Sequence, residues 1–188
     1  MELLMKGTHI PEPYINDKKE LKLFVLRPAS KEEQEQMKAM QGQMTPKSDL
    51  IGKKADPFSV TDINGNTISL ESLKGKIVVI NFWFVECKPC IMEIPELNKI
   101  VDLYKDKEVV FLGFATNEQS KIITFLEKNV FKYTIIPKSQ DIAKTFGVKH
   151  YPTHIIIDKH AVITYCTSGL GANTIDDLKI EISKQLAE

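Results

Sequence analysis

The sequence predicts an α/β fold in which a central mixed β-sheet is flanked by helices. Three stretches carry that expectation. Residues 76–84 form a nearly continuous apolar run, as a strand buried on both faces should. Residues 89–104 place Ile91, Ile94, Leu97, Val101 and Tyr104 at helical spacing, and residues 109–114 are a second buried run, so strand, helix and strand make one right-handed parallel unit. Residues 154–157 and 162–167 are separated only by Asp158, Lys159, His160 and Ala161, a spacing that suits an antiparallel pair.

The remaining elements follow from local chemistry. Residues 6–54 are polar and broken, with one alternating stretch at 21–26 that reads as a strand. Ser30 and Glu33 fit a capping box opening a short helix through Met40, after which Gly42, Pro46 and Gly52 punctuate a linker. Met37, Met40 and Met44 suit a helix lying on the domain and receive no function. The expected organisation is an N-terminal extension and linker over 1–54 and the α/β domain over 55–188. Within that domain, residues 58–61 and 67–68 flank Asn64-Gly65, a two-residue hairpin signal. Residues 118–129 read as a helix, 133–136 as a short strand before Pro137, and 139–146 as a helix stopped by Gly147. Asn173, with Asp176 three residues on, caps a last amphipathic helix carrying Ile175, Leu178, Ile182 and Leu186.

Composition excludes several function classes. The 25 basic and 25 acidic side chains cancel, and Arg27 is the only arginine, so the forked donors favoured for phosphate and base recognition are missing and no nucleic-acid partner is expected. The longest apolar run, 77–85, is interrupted by Asn81 and is far shorter than the roughly 20 residues of a membrane span. Residues 1–14 lack the features of a secretory signal, which fits either a cytosolic chain or a mature form already trimmed.

Three cysteines are too few for a disulfide scaffold, but Cys87 and Cys90 lie three apart where a buried strand turns into a helix. Backbone amides and the dipole at a helix N-terminus favour thiolate over thiol, and Lys88 adds positive charge. Pro89 fits the first helical turn, where its missing N–H costs nothing. The expectation is an exposed, attacking Cys87 and a shielded, resolving Cys90. Half of a zinc site is the competing reading, but Cys166 and the histidines at 9, 150, 154 and 160 supply no second paired motif, so no metal is assigned. Cys166 reads as a strand filler, Trp83 as packing beneath the thiols, and His150 and His154 as structural.

Residues 81–90, Asn-Phe-Trp-Phe-Val-Glu-Cys-Lys-Pro-Cys, followed by Glu93-Ile94-Pro95-Glu96-Leu97, resemble the thioredoxin superfamily and, within it, the TlpA/ResA-like membrane-tethered or periplasmic reductases. The resemblance covers about 55–188, with 118–136 similar to that branch's helix–strand insertion; residues 1–54 lie outside it. It implies that Tyr151-Pro152-Thr153 is a cis-proline loop facing the disulfide, whose backbone pairs with substrate chains. Asn81 stands where plain thioredoxins carry a buried aspartate. Glu93, one helical turn beyond Cys90, is the natural substitute as proton acceptor and matches a buried glutamate of the TlpA/ResA branch. Glu86 replaces a tryptophan and sets a carboxylate beside the nucleophile, opposing thiolate formation.

What the resemblance implies is a thiol–disulfide oxidoreductase reducing protein disulfides without an organic cofactor. Its setting would be periplasmic or otherwise extracytoplasmic, with a membrane electron donor, any tether lying outside this chain, and cytochrome c maturation or thiol maintenance as tasks. A thiol peroxidase of the same fold and a metal-delivery module using the dithiolate are the alternatives.

Overall fold

A computed structural model of the chain describes residues 9–15, 21–28, 30–32, 49–169 and 171–188. Two compact units divide it, Met1–Pro46 and Lys47–Glu188. The first contains an antiparallel pair, β1 (His9–Ile15) with β2 (Leu21–Pro28), whose register runs from His9 opposite Pro28 to Ile15 opposite Leu21. The second strand was expected from its alternation. β1 was not, because Pro11 and Pro13 break the strand signal; proline is nevertheless tolerated where a strand edge needs no N–H. Lys31 and Glu32 are helical, and the rest of the helix expected through Met40, with the methionine stripe and the punctuation at Gly42 and Pro46, lies outside the described residues.

In the second unit, residues 52–55 already run beside the sheet: Gly52 N–H donates to Ile163 O at 2.8 Å and Ala55 N–H to Ala161 O at 2.8 Å. β3 (Ser59–Thr61) and β4 (Thr67–Ser69) then form a short antiparallel hairpin. Its turn is not the two-residue type that Asn64-Gly65 suggests. Such a turn needs positive φ at both central residues, and here only Gly65 has it, at 87°. Buried Asp62 instead organises a five-residue loop: Oδ1 accepts from Asn64 N–H and Asn66 N–H, both at 2.8 Å, and Oδ2 accepts from Asn66 Nδ2 at 2.9 Å.

The central sheet has the order β7-β6-β5-β8-β9. β5 (Ile77–Trp83) lies in the middle, parallel to β6 (Val109–Ala115) and antiparallel to β8 (Thr153–Ile157); β7 (Thr134–Ile136) is parallel to β6, and β9 (Ile163–Ser168) antiparallel to β8. The mixed sheet is therefore as expected. All seven β5 residues are buried, and their alternation divides two cores. Ile77, Val79 and Trp83 pack with Ile94, Leu97, Ile100 and Tyr104 of α1 (Lys88–Tyr104) and with Leu178 and Ile182 of α4 (Thr174–Ala187). Val78, Ile80 and Phe82 point the other way, against Phe58, Leu70 and Phe146.

The helix–strand insertion comprises α2 (Gln119–Leu126) and β7, and α3 (Gln140–Thr145) precedes the positive-φ Gly147. α2 is shorter than the expected 118–129 because the chain turns at Asn129, whose side-chain amide donates to Phe125 O at 2.9 Å. α4 begins after Asn173 as expected, but the Asn173 side chain makes no capping hydrogen bond; its backbone carbonyl accepts from Asp177 N–H at 2.9 Å. Among the described residues no helix is long and apolar enough to cross a membrane.

Desolvation raises the Asp62 pKa, but its hydrogen bonds with Asn66, Asn64 and Gly65 together outweigh this and leave the carboxyl below its ordinary value. A folded-state value below the unfolded one contributes stability above the unfolded pKa that is lost as pH falls through the folded value. Asp62→Ala should lower the thermal midpoint by several degrees at pH 7. The gap should narrow below about pH 4 in melts across a pH series.

Candidate functional site

At the end of β5 the chain turns through Phe84, Val85 and Glu86 into the N-cap of α1. Cys87 is that cap: its extended backbone (φ −75°, ψ 94°) sets Sγ to accept from Cys90 N–H at 3.3 Å, and its carbonyl accepts from Ile91 N–H at 3.0 Å. Pro89 sits in the first helical turn, where no intrahelical donor is needed. Cys87 and Cys90 form a disulfide with S–S 2.02 Å and Cα–Cα 5.3 Å. The expectation of an exposed Cys87 is corrected, since Cys87 is 5% exposed against 1% for Cys90. In the disulfide both sulfurs join the apolar cluster against which Phe84, Val85 and Tyr151 pack.

The Tyr151–Pro152 peptide bond is cis, as the resemblance implied, and lies against this loop: the Phe84 and Tyr151 rings meet edge-on at 5.3 Å. Pro152 O accepts from Gly169 N–H at 2.7 Å, and Thr153 Oγ1 donates to His150 O at 2.7 Å. β8 starts at Thr153, so the loop is held at its base by the sheet itself. His150 is exposed beside it.

Beneath the disulfide runs a line of buried polar groups. Asn81 and His154 are direct cross-strand partners in β5 and β8, and Asn81 Nδ2 lies 3.3 Å from His154 Nδ1. His154 Nε2 lies 3.0 Å from Glu93 Oε2. All three side chains are buried, and Asn81 Oδ1 and Glu93 Oε1 have no hydrogen-bond partner among the described residues. Glu93 is thus a buried carboxylate and not a solvated charge on the helix surface. Sequence reasoning placed Asn81 and Glu93 at the site but read His154 as structural, because nothing local reveals which residue of β8 faces Asn81.

Trp83 is buried below the thiols with its ring against Phe125 at 5.4 Å and Phe131 at 5.3 Å, so the insertion covers it. Gly113 makes the fit feasible, since a Cβ there would lie 2.8 Å from Ile135 Cδ1 and 3.2 Å from Trp83 Nε1. Buried Tyr133 has its phenol pushed well above the ordinary range, first by desolvation and then by the negative charge of Glu93.

The expected effect of Glu86 needs correction, because its carboxylate is not a bare charge beside Cys87. It forms an ion pair with Lys121 of α2 and accepts from Asn117 Nδ2 at 3.0 Å, while Asn117 Oδ1 accepts from Val85 N–H at 2.8 Å. The insertion thus neutralises Glu86 and anchors the loop leading to the thiols. Lys88 is exposed between the cysteines. Cys166 is half-buried on β9 opposite Ile155, away from the disulfide pairing. No group of three or more His, Cys, Asp and Glu side chains suited to a metal ion occurs among the described residues.

Comparison with known proteins agrees with this geometry. The model of the AhpC/TSA family matches residues 51–166. Two proteins named thiol-disulfide oxidoreductase ResA are 40% identical over 111 residues in Bacillus thuringiensis strain Al Hakam and 38% over 122 residues in B. thuringiensis subsp. konkukian. These alignments take in 58% and 63% of this chain and 64% and 70% of those relatives. The crystal structure of a thiol:disulfide interchange protein of the thioredoxin family from Chlorobium tepidum superposes with a TM-score of 0.64 at 21% identity, over 74% of this chain and 99% of that one, which establishes the shared fold. The chain belongs to the AhpC/TSA family of thioredoxin-like proteins, and its sequence likeness there is to thiol–disulfide oxidoreductases of the ResA type.

Proposed function

We propose that this protein reduces disulfides in other proteins by exchange through Cys87 and Cys90. The observation that carries the reading is a redox pair at the N-terminus of α1 with a buried carboxylate, Glu93, one turn below it. In the reduced form, Cys87 thiolate attacks one sulfur of a substrate disulfide. The substrate's other sulfur leaves as a thiolate and takes a proton from water. Cys90 then gives its thiol proton to Glu93 and attacks Cys87, which reforms the Cys87–Cys90 disulfide and expels the second substrate sulfur. The second sulfur also leaves as a thiolate and is protonated by water, so the substrate gains two electrons, the pair loses two, and the Cys90 proton stays on Glu93.

Tyr151, Pro152 and Thr153 supply the surface along which an extended substrate chain lies. Lys88 tunes the pair through charge and Pro89 through rigidity, while Glu86, paired with Lys121 and held by Asn117, anchors the loop leading to Cys87. The setting we assign is extracytoplasmic, with electrons from a membrane donor and with cytochrome c maturation or general thiol maintenance as the task. We assign residues 1–46 to an extension outside the exchange domain; residues 47–54, expected in that extension, belong to the domain's own compact unit, where Gly52 N–H donates to Ile163 O.

Cys87→Ser should abolish reduction of an insulin disulfide, Cys90→Ser should accumulate mixed disulfides, and Cys166→Ser should leave the rate within about twofold. Full activity of Cys87→Ser would overturn the mechanism. Peroxide turnover by the parent faster than disulfide reduction would instead favour a thiol peroxidase.

The helix terminus, the Cys90 N–H and Lys88 favour thiolate at Cys87, whereas buried Glu93 opposes added negative charge at the pair. These effects oppose one another, so the couple should lie nearer thioredoxin at about −270 mV than DsbA at about −120 mV. Equilibration against a dithiothreitol or glutathione buffer measures it, and a couple as oxidising as DsbA would overturn the reductase direction.

A further inference from the structure

The exchange mechanism uses Glu93 but leaves His154 and Asn81 without a part, although both are buried in the face of the sheet that α1 covers. Their neighbours on that face are apolar: Val79, Trp83, Ile156 and Leu97. Burying a histidine beside a carboxylate costs desolvation that apolar side chains of similar volume would not. Stability alone therefore gives little reason for the group.

Its hydrogen bonding has a direction. Asn81 Nδ2 donates to His154 Nδ1, so Nδ1 is the bare nitrogen and the ring proton resides on Nε2. Nε2–H then donates to Glu93 Oε2 at 3.0 Å, the polarity that a carboxylate requires. Glu93 Oε1 remains buried with no partner among the described residues. The other groups facing Glu93 do not compete for its proton. Tyr133, beside β7, has its phenol held protonated by burial and then by Glu93 itself; Tyr165 of β9 is likewise raised, first by burial, then by Asp177, and more weakly by Cys166 and Glu93, against a lowering hydrogen bond from Thr167. Among the described residues the ion pairs of Glu93 involve no lysine or arginine.

We propose that His154 is a positioning residue for the resolving step: its Nε2–H pins Glu93 Oε2 so that Oε1 alone receives the Cys90 proton, and Asn81 sets the tautomer that allows it. The proposal rests on the exchange reading above. In the step, the Cys90 S–H bond breaks, the electron pair stays on sulfur, and the proton moves to Oε1. Cys90 sulfur bonds to Cys87 sulfur as the Cys87–substrate bond breaks and the substrate sulfur leaves with its pair. Nε2–H···Oε2 persists throughout, so the ring neither turns nor changes its proton. The proton returns from Glu93 to Cys90 when the disulfide is next reduced.

The test is the single-turnover release of thionitrobenzoate from a mixed disulfide formed on Cys87, followed across pH in the full chain. His154→Leu should slow release at pH 7 about tenfold and change the pH profile of release, since the Glu93 carboxylate loses the hydrogen bond that holds it. His154→Gln, whose amide also donates, should recover most of the rate. Alkylation of Cys87 in a Cys90→Ser background should change less than twofold on adding either substitution. An unchanged pH profile in His154→Leu or in a folded Asn81→Leu, a failure of glutamine to rescue, or an equal change in Cys87 alkylation would overturn the positioning role. Absence of Cys90-dependent release in the parent would overturn the exchange reading and this role with it, and that result is visible before any variant is made.

Discussion

The molecule is organised by the burial of β5 on both faces. A seven-residue strand with no exposed position must send alternate side chains into two separate cores, one roofed by α1 and α4 and the other closed by Phe58, Leu70 and Phe146. α1 can lie flat on its side of the sheet only if its apolar stripe, Ile94, Leu97 and Ile100, meets Ile77, Val79 and Trp83. Since the helix starts within a few residues of the strand's end, that packing also places its N-terminus, and the thiols capping it, at the carboxyl edge of the sheet. The position of the redox pair is thus a consequence of core packing.

Into this apolar face three polar residues are set in a row. Asn81 and His154 meet because β5 and β8 pair antiparallel in a register that places them opposite, and Glu93 reaches them from the helix above. Low polarity around them strengthens each hydrogen bond and makes each unpaired atom costly. The arrangement therefore leaves one carboxylate oxygen of Glu93 buried and uncommitted, one helical turn along α1 from Cys90.

The insertion acts on the same site from the side. α2 lays Phe125 on Trp83 and sends Lys121 to Glu86, while Asn117, just before it, holds both the Val85 backbone and the Glu86 carboxylate. An exposed pair such as Glu86–Lys121 contributes little to stability. Its effect is local, because it offsets the Glu86 charge beside Cys87 and fixes the loop leading to that residue.

From its residues alone, this chain disclosed the mixed sheet, the strand–helix junction carrying Cys87 and Cys90, and Glu93 one turn further on, because burial of β5 and helical spacing are both written in local periodicity. The spacing of Cys87 and Cys90 needs no distant residue to bring the sulfurs together. The Asp62 loop escaped that reading, since a side chain competing for backbone amides overrode the Asn64-Gly65 signal. The compensation of Glu86 by Lys121 and the line from Asn81 through His154 to Glu93 were decided only by tertiary structure. These contacts join residues 35, 61 and 73 positions apart, and strand register and helix placement bring them together through the global burial of apolar surface.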